Sequence, residues 1–385
     1  MRITALSGGV GGARFLRGLL AALADRPAED RPRAAHERGE DEVVVIGNTA
    51  DDVTLHGLRV SPDLDSVMYT LGGGADDERG WGRAGETFAV AAELAAHGDP
   101  PDWFALGDKD LATHLVRSRL LAEGAPLSAA TRRLCERWRP GVRLLPMTDD
   151  PVETHVVVDA ADAPDEGGSV RSPLAAGLAG PGQRALHFQE WWVRHSAAPP
   201  ARRIAVAGAL AARPGPGVVE ALRDADVVLL PPSNPVVSLG AVLAVPGVRA
   251  ALRAARAPVV GISPVVGGAP VRGMADACLR ALDVPTTAGA VAGLYADVLD
   301  GWLVDPADAP GQDGSGEAGT GTSGRASTPG AGPLVRAEPL LMTTPADAAR
   351  IAAAALDLAA ELDDLGLRGR SRDGAVPAAH AGLAA

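Results

Sequence analysis

Lysine is nearly missing from this chain of 385 residues. Lys109 is the only one among 36 basic residues, so arginine carries almost all the positive charge. Cysteine is scarce as well. Cys135 and Cys278 lie far apart in helix-like settings, which excludes a disulfide framework and reads as two reduced, buried thiols. No Cys/His cluster has the spacing of a zinc site. No run of about 18 apolar residues occurs, so no membrane span is expected. Met1-Arg2-Ile3-Thr4 enters a strand pattern at once, so no leader is expected and the protein is read as cytoplasmic. Nothing resembles a Ser-His-Asp set or a poised Cys-His pair, which leaves covalent catalysis without support. Excess positive charge is absent too. The formal net charge is −12, which repels nucleic-acid backbones and argues against such a partner.

What is present is an α/β pattern. Hydrophobic residues make up 46% of the chain, enough for a large core. Continuous apolar runs at 3–6, "EVVVIG" 42–47, "WFAL" 103–106, "RIAVAG" 203–208, "DVVLLP" 226–231 and "PVVGIS" 258–263 suit strands buried on both faces of a parallel sheet. Helical patterns at 13–24, 111–122, 128–138, 217–225 and 274–282 lie between several of them. The alternation predicts a Rossmann-like, doubly wound, mainly parallel sheet. Residues 1–64 and 200–365 are expected to form this core, and 65–199 an inserted, partly helical cap in which 154–159 and 185–195 make an antiparallel or mixed excursion. The stretch 25–41 reads as an exposed excursion. Low-complexity stretches at 160–183 and 306–332 are expected to be flexible loops, and 366–385 a disordered tail.

Chemistry concentrates where strands end. "LSGGVGGARF" (6–15) follows a strand and opens a helix, the setting in which glycines and helix N-terminal amides receive a phosphate. No Gly-Lys-Ser/Thr follows, so it is not a Walker loop. Arg14 stands where a dinucleotide fingerprint has its third glycine. The second strand ends in Gly47-Asn48-Thr49-Ala50-Asp51-Asp52, so the acids come too late to hold a ribose. Both features turn the loop away from a redox dinucleotide. Asp51, Asp52, Asp63 and Asp65 fall within about 15 residues of one another, and carboxylates beside a phosphate cradle suit Mg²⁺. An Asx turn and a helix cap at Ser61-Pro62-Asp63 explain the same acids structurally. "LGDKDLATH" (106–114) and "PPSNPVVS" (231–238) add polar loops, and Arg272 lies in a third. The inventory suits phosphoryl-group transfer, which depends on positioning and charge neutralisation.

Taken together, "SGGVGGARFLRGL", "NTADDVTLHGLRVSPDLDSVMYTLGG", "GWGRAGETF", "DWFALGDKDLATHLVRS", "LLPMTDDPVETHV", "HFQEWWV", "PPSNPVVSLG" and "GISPVVGGAPVRGMAD" resemble the phospholactate transferase family of coenzyme F-420 biosynthesis. The long matches resemble its actinobacterial branch. The resemblance implies a homodimer that moves a phosphoenolpyruvyl or phospholactyl group from a guanosine diphosphate donor to the ribityl hydroxyl of the deazaflavin FO. It implies release of GMP and a need for Mg²⁺. By position, Gly8, Gly9, Gly11 and Gly12, with Asn48 and Thr49, would meet the donor diphosphate, and Ser233 and Asn234 the guanosine. Asp51, Asp52 and Asp63 would hold the metal. Asp63 or Asp65 would orient or deprotonate the acceptor hydroxyl. Asp65, Trp81, Lys109, His155 and Trp191 would bind the acceptor. Lys109 departs from the family pattern, in which arginine more often stands between the two acids; the charge is kept and bidentate geometry is lost. The rival reading is a non-catalytic nucleotide-sugar-binding regulator with a similar glycine loop.

Overall fold

A computed structural model describes residues 1–26, 41–164, 167–310 and 332–367, together with Pro377 and Leu383. The chain runs β1 (Arg2–Ser7), α1 (Gly9–Asp25), β2 (Glu42–Gly47), a hairpin of β3 (Val53–Leu55) and β4 (Leu58–Val60), then α2 (Pro62–Leu71) and α3 (Ala89–Ala96). Next come α4 (Asp108–Ala122), α5 (Leu127–Trp138), β5 (Arg143–Pro146), β6 (Glu153–Asp159), β7 (Gln183–His187) and β8 (Arg203–Ala207). They are followed by α6 (Val218–Asp224), β9 (Val227–Leu230), α7 (Leu239–Ala244), α8 (Val248–Ala254) and β10 (Val259–Ile262). The small hairpin β11 (Val265–Val266) and β12 (Ala269–Pro270), then α9 (Ala275–Arg280), α10 (Ala288–Gly293), β13 (Gly301–Val304), β14 (Leu334–Ala337) and α11 (Pro345–Asp364) complete it.

Seven strands form one sheet in the order β14-β13-β10-β9-β1-β2-β5. Every pairing in it is parallel. From β1 the chain steps outward through β2 to β5, returns to the other side of β1 at β9, and steps outward again. The order therefore reverses between β1 and β9, and loops leaving the carboxyl ends there frame the crevice in which such sheets hold ligands. Alternation along each strand supplies two cores. Ile3, Ala5, Val43 and Val45 pack under α1, α2 and α11. Leu6, Val44, Ile46, Val228 and Leu230 face the opposite layer.

That opposite layer departs from the expected organisation. The run 203–208 is not a strand of the parallel sheet. It forms β8 in a three-stranded antiparallel sheet, order β7-β6-β8. Val156, Val158, Leu186, Ile204 and Val206 of that sheet share a core with the parallel sheet, so it packs on as a layer. Conversely β5, placed in the cap by sequence, pairs with β2 in the main sheet. Trp103–Leu106 is no strand. Phe104 and Leu106 instead pack on Val53, Leu55 and Val60 of the small hairpin. Within the stretch 160–183, residues 170–175 are anchored rather than loose. Val170 N donates to the Glu190 carboxylate at 3.0 Å, and Ser172 caps a 3-10 turn, Pro173–Ala175. The expected loop at 306–332 opens with another such turn, Pro306–Asp308, and 311–331 lie outside the described residues. So do 27–40 and nearly all of the expected tail. No helix among the described residues is long and apolar enough to cross a membrane.

Candidate active site

At the reversal point β1 ends and Gly8 stays extended before α1 begins. No side chain of its own caps this helix, and no acid sits in its first turn. Asp63 of α2 takes the Gly9 N–H; the amides that follow it are open to a ligand, and the helix dipole favours an anion there. The glycines have two different jobs. A Cβ on Gly8 would lie 2.7 Å from Asp63 Oδ2, one on Gly11 2.6 Å from Pro232 O, and one on Gly12 2.8 Å from Ser233 Oγ. Those three let α1 press against the loop after β9 and against α2. Gly9 alone has a left-handed φ, +66°, with open space where a Cβ would be. Ser233 belongs to the same clamp: it accepts from Gly8 N at 3.3 Å and donates to Gly8 O at 2.8 Å. Asn234 turns inward and accepts from Val236 N and Val237 N, as an Asx turn does. Ser233 is thus committed to the clamp, while Asn234 Nδ2 reaches Cys278 Sγ at 3.6 Å.

The acids converge beside this loop. Asn48, fully buried at the end of β2, donates to Asp63 Oδ2 at 2.9 Å and to Val237 O at 3.3 Å. Its own oxygen accepts from Ala50 N at 3.0 Å and sets the turn carrying Asp51 and Asp52. Ser61 Oγ donates to Asp52 Oδ2 at 2.6 Å, and Arg59 Nε stands 3.4 Å from the same oxygen. Asp51 Oδ1, Asp52 Oδ1 and Thr49 Oγ1 are buried without a hydrogen-bond partner. Burial first, then the charge of Asp63, holds Asp51 well above the ordinary carboxylate range. Burial pushes Asp52 up to about 6 although Arg59 and Ser61 pull the other way. Asp63 also rises to about 6, by burial, against the Asn48 amide and the Gly9 N–H.

Asp65 lies elsewhere. Residues two apart on a helix do not share a face, so α2 aims Asp63 at the glycine loop and Asp65 at α4. Arg117 of α4 grips both oxygens of Asp65. His114 stands 3.3 Å from Arg117 and, on its other side, 3.3 Å from Asp110, which takes the Tyr69 hydroxyl. The sequence reading missed this network, although Asp110, His114 and Arg117 recur at helical spacing and form a polar stripe that signals it.

The expected acceptor wall is only partly assembled. Trp191 is fully buried in the core and donates to Pro199 O at 2.9 Å. His155 is buried in a layer behind the acids, 3.0 Å from Glu153 and edge-on to His187. His187 Nδ1 accepts from Gln189 N, which leaves Nε2 to donate to Asp52 O at 3.2 Å. Burial, helped by His155, holds His187 down at about 4, so it supports the Asp51-Asp52 turn as a neutral ring. Lys109 Nζ reaches Ala84 O at 3.1 Å. Trp81, by contrast, is 49% exposed on the loop over a crevice between α1 and α2.

Among the described residues no three His, Cys, Asp or Glu side chains are arranged to hold a metal ion by themselves. The two partnerless oxygens of Asp51 and Asp52 fit an ion that takes a pair of carboxylates and completes its shell with phosphate and water, which is the habit of Mg²⁺.

The sequence profile described as "2-phospho-L-lactate transferase CofD" matches residues 3–320. The chain belongs to this family. A protein of Thermobifida fusca named phosphoenolpyruvate transferase is 56% identical over 94% of this chain and 99% of its own length. One of Kitasatospora aureofaciens with the same name is 53% identical over 94% and 99%, and one of Mycolicibacterium smegmatis 47% identical over 93% and 99%. A crystal structure of a UPF0052-family protein from Bacillus halodurans overlaps 79% of each chain at 16% identity with a TM-score of 0.46, too distant to inform the site. Membership makes the chain a transferase.

Proposed function

We propose that the chain transfers a phosphoenolpyruvyl group from a guanosine diphosphate donor to the ribityl hydroxyl of FO, releasing GMP, in coenzyme F-420 biosynthesis with Mg²⁺ as cofactor. The names of the relatives favour the enolpyruvyl over the lactyl group. One observation carries the reading. The N-terminus of α1 meets the buried Asp63 carboxylate, and the buried Asp51 and Asp52 on the turn set by Asn48 each keep an oxygen without a partner. Such a site holds both halves of a metal-diphosphate pair.

In this reading the amides at the start of α1 bind the diphosphate and hold it still. Asp51 and Asp52 hold Mg²⁺, which supplies neutralisation of the diphosphate charge when bound. Asp63, expected at both the metal and the hydroxyl, is assigned here to the hydroxyl. The ribityl oxygen forms a bond to the phosphorus that carries the three-carbon acid, the bond from that phosphorus to the bridging oxygen breaks, and GMP leaves with the oxygen. The hydroxyl proton passes to Asp63, whose raised pKa of about 6 suits a base near neutral pH. Asp65 has no part in the chemistry, because Arg117 occupies both its oxygens. Asn48 and His187 position the acids from behind.

The test is to incubate the purified protein with FO, Mg²⁺ and the enolpyruvyl or lactyl donor, and to follow GMP and the adduct by mass spectrometry. Product with the enolpyruvyl donor is expected, and none with a chelator. No product from either donor sinks the reading. Failure to bind FO, followed by its fluorescence, points instead to the nucleotide-sugar regulator.

A further inference from the structure

At the crevice between α1 and α2, Arg14 lines one wall and Arg272 reaches the loop that covers it, and the scheme above uses neither. The loop Asp76–Gly82 covers this crevice, and two of its three acids, Asp76 and Asp77, are engaged by other arginines. Arg17 donates to both oxygens of Asp77 at 3.0 Å. Arg79 holds Asp76 at 3.1 Å. Arg14 and Arg272 reach the same loop but meet only backbone. Arg14 Nη2 donates to Asp77 O at 3.3 Å and Arg272 Nη2 to Arg79 O at 3.1 Å. Neither has a carboxylate within ion-pair distance among the described residues. The guanidinium of Arg272 lies flat against Gly80, where a Cβ would come within 2.3 Å of Nη1. Burial and then the charge of Arg14 pull Arg272 below the ordinary arginine range.

Two cations side by side without a counter-charge repel each other, and a bound anion relieves that repulsion. Each guanidinium keeps N–H donors beyond the one given to the loop, and this planar fork matches a carboxylate. Position narrows the anion. Val10 and Arg14 are four apart on α1 and line one wall of the crevice; Ser66, Tyr69 and Thr70 of α2 line the other. Asp63, Ser66 and Thr70 recur at three and seven residues, so one face of α2 runs from the acid cluster into the crevice. Arg14 follows Gly9 by five residues, a rise of about 7.5 Å along the helix. An arginine side chain and a three-carbon acid together cover that span.

We propose that Arg14 and Arg272 bind the carboxylate of the three-carbon acid on the donor, as specificity-determining residues. The assignment rests on the transfer reading above. There the helix amides and the acid cluster serve the diphosphate, so the carboxylate is the anion of the donor's acid left to be bound. Both the enolpyruvyl and the lactyl acid carry it. The pair therefore selects for a carboxylate and does not choose between the two.

Steady-state transfer by the wild type, Arg14→Gln and Arg272→Gln, with GDP affinity measured by calorimetry, tests the assignment. Each variant is expected to raise the donor KM about 10–100-fold, the size of a lost charge-assisted bond. FO KM and GDP affinity should stay within about twofold, since neither ligand carries this carboxylate. Arg14→Lys should recover part of the loss. If Arg14→Gln does not fold, the exposed Arg272 still carries the test. An unchanged donor KM in the folded variants overturns the assignment. A parallel loss of GDP affinity also overturns it, by assigning the pair to the nucleotide. So does a rise in FO KM alone, by assigning it to the acceptor. A wild type inactive with both donors brings down the transfer reading and this assignment together; an active wild type with unaffected variants removes the assignment alone.

Discussion

Two buried charge clusters share one short helix, and they are built on opposite terms. On one side of α2, Asp65 is gripped by Arg117, with His114, Asp110 and Tyr69 continuing the chain of partners. On the other side Asp63 stands with Asp51, while Asp52 pairs with Arg59 and also lies in the field of Arg117 and Asp65. A buried charge with its partner is part of the scaffold, and stays costly to break. A buried acid with an oxygen unanswered is held in deficit, and that deficit is what a cation and a diphosphate fill. Two aspartates two positions apart thus have opposite tasks, and the contrast moves the chemistry from Asp65 to Asp63 and its neighbours.

The contrast can be broken most directly on the closed side. Arg117→Met leaves the buried Asp65 with only His114, at 3.8 Å, beside it, and is expected to destabilise the fold by about 3–5 kcal/mol in urea unfolding. Adding Asp65→Leu should return most of that stability. If the double variant is no better than the single one, the pair is not a self-contained scaffold element. On the open side, Asp51→Asn is expected to lower transfer about 10²–10³-fold, about 3–4 kcal/mol in the barrier, while stability holds or rises. A loss of stability as large as that of Arg117→Met would erase the distinction.

Proton linkage sharpens the same point with a smaller effect. Asp63 and Asp52 rise from 3.8 to about 6 on folding, so between those values the folded chain holds protons that the unfolded chain has released. Their contribution is complete below about 4 and is lost as pH rises through about 6. In chelator, unfolding free energy should therefore fall over that window by on the order of 2–3 kcal/mol per group. Asp63→Asn should remove its share, and Mg²⁺ should restore stability at neutral pH. A variant with the wild-type pH slope would show that Asp63 is not strained by burial. The smallest effect belongs to the surface. Arg119 pairs with Glu123 at 2.8 Å with both side chains exposed, and Arg119→Ala should change stability by no more than about 0.5 kcal/mol. A larger loss would mean that partnered charge matters here irrespective of burial.

Much of the frame was legible along the chain. "EVVVIG", "DVVLLP" and "PVVGIS" became β2, β9 and β10, and the helices at 108–122, 127–138 and 218–224 fell where periodicity put them. Propensity and pattern act over a few residues, so one segment is enough to read them. The glycine loop at a strand end and the late acids were legible for the same reason, and they already argued for a phosphate and a cation.

Partnership was not legible. "RIAVAG" has the composition of a central parallel strand yet pairs antiparallel with β6, because a buried apolar run does not encode its neighbour. Trp191 and His155, candidates for a ligand wall, became core and backing layer. Three of the four glycines proved to be sites of close packing, leaving Gly9 alone facing open space. Local sequence thus settled which elements form and where acids and glycines stand along them. Which aspartate meets Arg117, and which keep an oxygen unanswered, was settled only when α4 packed against α2 and the loop after β9 closed on α1. Burial and pairing are properties of contacts between segments far apart in the chain, and no single segment carries them.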